Sequence, residues 1–178
     1  MRWLWNAYRK SLHRYPNTIQ ALQTGVLVGS GDIISQVFVE KREIKNVHWR
    51  RTLQFFCVGT FYVGPLLSVW YRLLHNYVGS GGKSVALKKV ALDQICFAPV
   101  CLAGFLVCVD TLQRKSFDDT KKSFRDKYPD ILIANYKLWP AVQLINFYFV
   151  PLHFQVLYAQ MVALFWNTYI CFKTRPDD

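Results

Sequence analysis

Val90–Val109 reads VALDQICFAPVCLAGFLVCV, twenty residues whose one formal charge is Asp93. A helix needs about 20 mostly apolar residues to cross the roughly 30 Å hydrocarbon core of a bilayer. The same pattern recurs on either side. Thr52–Tyr71 carries no formal charge, Thr18–Val39 carries only Asp32, and Ile131–Phe172 carries only Lys137. Across all 178 residues 52% are apolar and 19% charged, against about a quarter charged in a soluble domain. These stretches predict an all-α membrane protein with one integral domain over 1–178 and apolar segments near 18–39, 52–75, 85–112 and 131–172.

The last segment admits two readings. Forty-two helical residues would run about 63 Å, twice the membrane core. Either two spans hinge near Pro151, or one span continues from an interfacial segment containing Pro140. The second is preferred because Asn135, Lys137 and Trp139 suit the interface, and it gives four transmembrane helices. Ahead of them, residues 1–16 alternate Met1, Leu4, Trp5, Tyr8, Leu12 and Tyr15 with Arg2, Arg9, Lys10, His13 and Arg14. That is a basic amphipathic helix suited to anionic lipid or mitochondrial targeting. Arg114–Asp130 is expected as the longest connection, with Phe117 and Phe124 seven apart as in a surface helix.

The formal charge is +11. Because the basic residues sit in short loops between spans, they meet lipid headgroups first. Anionic lipid is therefore the expected partner, and direct nucleic-acid binding is not expected. Lys and Arg divide almost evenly between the two sides of a four-span arrangement, so they give no orientation.

Charged and amide residues inside the spans are the candidates for function, because each costs several kcal/mol in hydrocarbon unless paired or wet. Asp32 and Gln36 share one face of the first span. Asp93 and Gln94 open the third, one turn after Lys89. Asn146, His153, Gln160 and Asn167 recur at intervals of seven, with Gln143 just upstream, and would form a polar stripe on one continuous helix. Each set lines a water path or hydrogen-bonds between helices. Asp93 pairing with Lys89 is the simple alternative for that acid, and Asp110 is expected to be solvated. Gly25 and Gly29 form a G-x-x-x-G suited to close helix approach. Gly64, Pro65, Pro99, Pro140 and Pro151 mark packing points or kinks. Trp70, Tyr71, Trp139, Trp166 and Tyr169 read as interfacial anchors.

No phosphate loop, nucleophile constellation or metal-ligand spacing is present, so no catalysis, metal or cofactor is expected. The five cysteines lie mostly within spans and read as packed thiols.

With these residues in view, the chain resembles the Mpv-seventeen family of small mitochondrial and peroxisomal membrane proteins. The likeness runs over nearly the whole length. It is carried by Gly31-Asp32-Ile33-Ile34-Ser35-Gln36, Val63-Gly64-Pro65, Leu92-Asp93-Gln94 with Phe97-Ala98-Pro99, and Leu138-Trp139-Pro140-Ala141-Val142-Gln143. Asn146-Phe147-Tyr148, Val150-Pro151-Leu152-His153 and Trp166-Asn167 complete it. The resemblance implies four membrane helices in the mitochondrial inner membrane, with peroxisomal relatives. It also implies a non-selective, regulated channel linked to mitochondrial homeostasis, reactive-oxygen metabolism and upkeep of mitochondrial DNA and nucleotide pools. Gln155 stands where the family commonly has Arg, so no selectivity is carried over. Four small spans enclose little room, which points to several copies around any pore. A non-conducting scaffold that binds anionic lipid is the alternative.

Overall fold

The computed structural model describes residues 15–79, 82–149 and 152–175. Residues 1–14 of the expected amphipathic helix and Pro151 lie outside them, and so do the side chains of Tyr71, Asn146, His153 and Gln160. Among the described residues the chain is helical and without strands: α1 Pro16–Ile34, α2 Trp49–Val58, α3 Gly64–Val78, α4 Lys83–Leu92, α5 Ala98–Leu112, α6 Phe117–Phe149 and α7 Leu152–Lys173.

Three π-helical turns join or extend these helices: Ser35–Val39 after α1, Gly59–Val63 between α2 and α3, and Asp93–Phe97 between α4 and α5. The last two each end two residues before a proline, Pro65 and Pro99. Proline cannot donate to the carbonyl four residues back, and its ring presses on that carbonyl. Phe61 and Ile95 are those residues, and both lie inside the widened turns. The extra residue per turn thus absorbs the proline without ending the rod. Three continuous rods, Asn17–Val39, Trp49–Val78 and Ser84–Leu112, are long and apolar enough to cross a membrane.

The expected fourth span takes a different form. The expectation of one span continuing from an interfacial segment is not met, because α6 and α7 fold back on one another. Pro151 stands between the two helices in the sequence. Pro129 and Pro140, by contrast, lie inside α6. The two helices run antiparallel: Lys173 Nζ lies 2.7 Å from Asp130 Oδ2, and the Trp139 and Trp166 rings meet edge-on at 6.4 Å. Most of the expected connection at 114–130 is the first half of α6. Ser116 caps it, accepting from the Asp119 N–H at 3.1 Å while its hydroxyl donates to Asp119 Oδ2 at 2.6 Å, which satisfies one free N–H of the first turn.

Small residues set the remaining contacts. Gly59 packs on Gly25, where a Cβ would come within 2.8 Å of the Gly25 Cα, so α1 and α2 touch backbone to backbone. Gly64 abuts Ala21 in the same way, whereas Gly29 meets Phe56 at ordinary contact distance. α3 stacks on the turn that precedes α5 through the Trp70 and Phe97 rings, 4.9 Å apart. α5 meets α6 where the Tyr128 hydroxyl donates to the Pro99 carbonyl at 3.0 Å. The core joins Val28, Phe55, Val58, Phe105, Val109, Ile131, Trp166 and Ile170. Polarity is inverted relative to a soluble bundle. Phe61 and Phe165 are 77% and 73% exposed, while Asp32 and Gln36 are 0% exposed. A bilayer rewards that distribution.

Candidate functional site

Two buried polar clusters hold most of the candidate residues that the structure describes. The first lies where α1 meets the start of α2. Arg51, Thr52, Phe55, Val58 and Gly59 recur at helical spacing and are all buried, so this face turns inward. That brings Arg51 onto Asp32, with Nε 2.6 Å from Oδ1. The other end of the guanidinium holds Glu40 in a fork: Nη1 donates to Oε2 at 3.1 Å and Nη2 to Oε1 at 2.5 Å. Arg42 Nε adds a contact to Glu40 Oε2 at 3.1 Å, and Ser35 Oγ lies 3.3 Å from Oε1. The second oxygen of Asp32 accepts from Gln36 Nε2 and Thr52 Oγ1, each at 2.7 Å. Gln36 Oε1 accepts from the His48 N–H at 2.8 Å. Two carboxylates and two guanidiniums therefore balance charge in a site where Arg51 is only 7% exposed. Burial alone would raise the Glu40 pKa, but the Arg51 hydrogen bonds and charge, with Arg42 and Ser35, hold it below 4.5.

The second cluster joins α3, the turn before α5 and α6. Asp93 accepts from Trp70 Nε1 and Gln94 Nε2, each at 2.9 Å, so its partners are these groups rather than Lys89. Gln94 Oε1 in turn accepts from Asn135 Nδ2 at 2.8 Å. Asn135 is buried, and so is Trp166, so both side chains face protein.

Asn167 lies against α1 beside Asp32. A Cβ on Gly31 would come within 2.7 Å of the Asn167 Cβ, and Cys171 Sγ approaches the Val28 carbonyl at 3.7 Å. The proposed stripe of sevens is not one face of one helix, because Asn146 belongs to α6 and Asn167 to α7, which run antiparallel. Gln143 is half-buried on α6. Asp110 is also corrected. It is fully buried, with Lys115 Nζ 3.0 Å from Oδ1, not solvated.

Arg51 and Trp70 are the functional partners that the sequence reading missed. Arg51 counted there only among the basic residues between spans, and Trp70 as a membrane anchor. The signal for Arg51 was available. A carboxylate near a span end needs a cation, and Arg51 stands on the one face of its helix that leads to Gly59.

A scan against family models matches residues 110–171 to the Mpv17 / PMP22 family. Similar curated proteins include the mitochondrial inner membrane protein Mpv17 of Homo sapiens, 45% identical over 96% of this chain and 97% of that one. The Danio rerio protein of the same name is 42% identical over 97% and 98% of the two chains. PXMP2/4 family protein 2 of Dictyostelium discoideum is 34% identical over 96% and 90%. No solved structure matches the chain. Full-length likeness to these relatives and the apolar rods described above agree: the chain belongs to the Mpv17 / PMP22 family and is a multi-pass protein of the mitochondrial inner membrane.

Proposed function

We propose that the chain forms a regulated, non-selective channel for small solutes in the mitochondrial inner membrane. The Asp32–Arg51–Glu40 network is the latch of its closed arrangement. The supporting observation is the network itself. Burying two carboxylates and two guanidiniums costs desolvation energy that well-packed apolar side chains would avoid, and specifying register or a switch is the best-attested use of such clusters. Arg51 ties α1 to both α2 and the connector, so releasing it frees α1 to move and exposes Asp32, Gln36 and Asn167 to water. Several copies supply the walls of the pore. Membrane lipid, anionic in part, and a small solute are the partners this reading requires; it includes no catalytic step and no cofactor. Through solute balance, the channel contributes to mitochondrial homeostasis, reactive-oxygen metabolism and maintenance of mitochondrial DNA and its nucleotide pools.

A non-conducting scaffold is the second reading, and one observation favours it. Both oxygens of Asp32 and the amide oxygens of Gln36 and Gln94 are engaged by neighbouring groups. Release of uncharged solutes of graded size from liposomes containing the purified protein separates the two. Size-limited, protein-dependent leakage supports the channel. Retention of every solute by demonstrably folded protein, across potential and pH, leaves the scaffold.

A further inference from the structure

The connector between the first two rods presents an outer surface that the latch does not use. Glu40 closes the π-turn with its N–H on the Ser35 carbonyl, Lys41 takes a left-handed φ of 55°, and the Arg42 N–H returns to the Gln36 carbonyl at 2.9 Å. A left-handed residue at a helix stop reverses the chain, and here it carries the Arg42 side chain back to Glu40. At the far end Val47 is buried and the His48 N–H is held by Gln36. Between these two pins the side chains point outward. Phe38, Ile44 and Trp49 expose most of their apolar surface, and Lys41, Lys45 and Arg50 are exposed among them. The rods Asn17–Val39 and Trp49–Val78 end and start here, so a bilayer that they cross has its boundary at this connector. Exposed apolar groups interleaved with cations suit that boundary, the first meeting acyl chains and the second headgroups.

Arg42 joins this surface to the latch. Its Nε donates to Glu40 Oε2 at 3.1 Å, and its side chain is partly exposed. Its two Nη groups meet no acceptor among the described residues. A guanidinium presents donors along more than one edge, so Arg42 can hold the carboxylate and still offer a fork to a phosphate. Lys45 pairs only with the exposed Glu43, at 4.0 Å.

We propose that this connector binds the headgroup phosphate of an anionic phospholipid, gripped by the Nη edge of Arg42 with Lys41 as a nearby point charge. The bound lipid joins the network around Glu40 and holds the connector in its observed arrangement. A lipid is the occupant because the cations stand among Phe38, Ile44 and Trp49, which a soluble ion would leave in water. The site does not depend on conduction. Only the consequence that anionic lipid favours the closed latch rests on the channel reading.

Purified full-length protein is unfolded thermally in neutral detergent micelles doped with increasing phosphatidylglycerol, or with phosphatidylcholine at the same total lipid. Arg42→Gln and Lys41→Gln are compared with the parent and with Lys88→Gln, an exposed cation on α4. The Lys41 side chain makes no bond to the latch, so Lys41→Gln tests the site even where Arg42→Gln is itself less stable. The expected result is a saturable rise in the parent's midpoint with phosphatidylglycerol and none with phosphatidylcholine. Half-saturation should require about fivefold more phosphatidylglycerol in each connector variant, the worth of one Lys or Arg near an anionic surface. Lys88→Gln should respond as the parent does. Parental half-saturation in both connector variants, or an equal loss in Lys88→Gln, would overturn the site and leave only general surface charge. An equal rise with inorganic phosphate at constant ionic strength would also overturn it, by assigning a soluble ion. The readout is stability in micelles, so its failure leaves the channel reading standing, and a protein that does not conduct still tests the site.

Discussion

Asp32 receives three hydrogen bonds and Arg51 binds two carboxylates, so each residue is expensive to remove singly. Arg51→Leu leaves Asp32 buried without its cation, and a loss of about 3–5 kcal/mol in unfolding free energy is expected. Asp32→Leu together with Arg51→Leu should cost clearly less than the sum of the singles, because the second change removes the stranded charge. Denaturant unfolding in detergent reads both, and additive losses would mean that the pair is not coupled. Glu40 has a related dependence on pH. Its pKa is lowered in the fold from 4.5, so the stability it contributes is full above 4.5 and declines as pH falls through the depressed value. Between neutral pH and about pH 3, Glu40→Gln should therefore lose less stability than the parent does. An identical acid profile would place Glu40 outside the network.

At the level of helices, backbone proximity sets the tolerance to substitution. Gly31→Ala places a Cβ within 2.7 Å of Asn167, whereas a Cβ at Gly29 meets Phe56 at 3.4 Å. The first should lower the unfolding midpoint by several degrees, consistent with an overpacking cost of about 1–3 kcal/mol. The second should shift it little. Equal midpoints would mean that α7 does not press on α1 at this point. The three rods were legible from stretches with at most one formal charge, within a few residues at either end. The fold-back of α6 on α7 was left between two readings, because Pro129, Pro140 and Pro151 carry the same local penalty and α6 passes through two of them. Only packing distinguishes the prolines, as the antiparallel contacts of α6 and α7 show. The same limit applied to the polar residues. Asp32 and Asp93 were visible as candidates, but Arg51 and Trp70 became their respective partners only when separate helices came together.

In the whole molecule, the fold-back of α6 and α7 determines where the chain's last third lies. Asp130 and Lys173 are 43 residues apart, about 65 Å along one continuous helix, yet their side chains form an ion pair. Asp130→Cys with Lys173→Cys should be joined by a short bifunctional thiol cross-linker in folded protein, identified by peptide mass. Absence of the cross-link would favour one long helix. The latch is tested most directly by single-channel recording of parent and Arg51→Gln in planar bilayers. A channel held closed by this network predicts brief parental openings and a higher open probability in the variant, with unitary conductance unchanged. A folded variant with parental gating, or with altered unitary conductance, would contradict the latch.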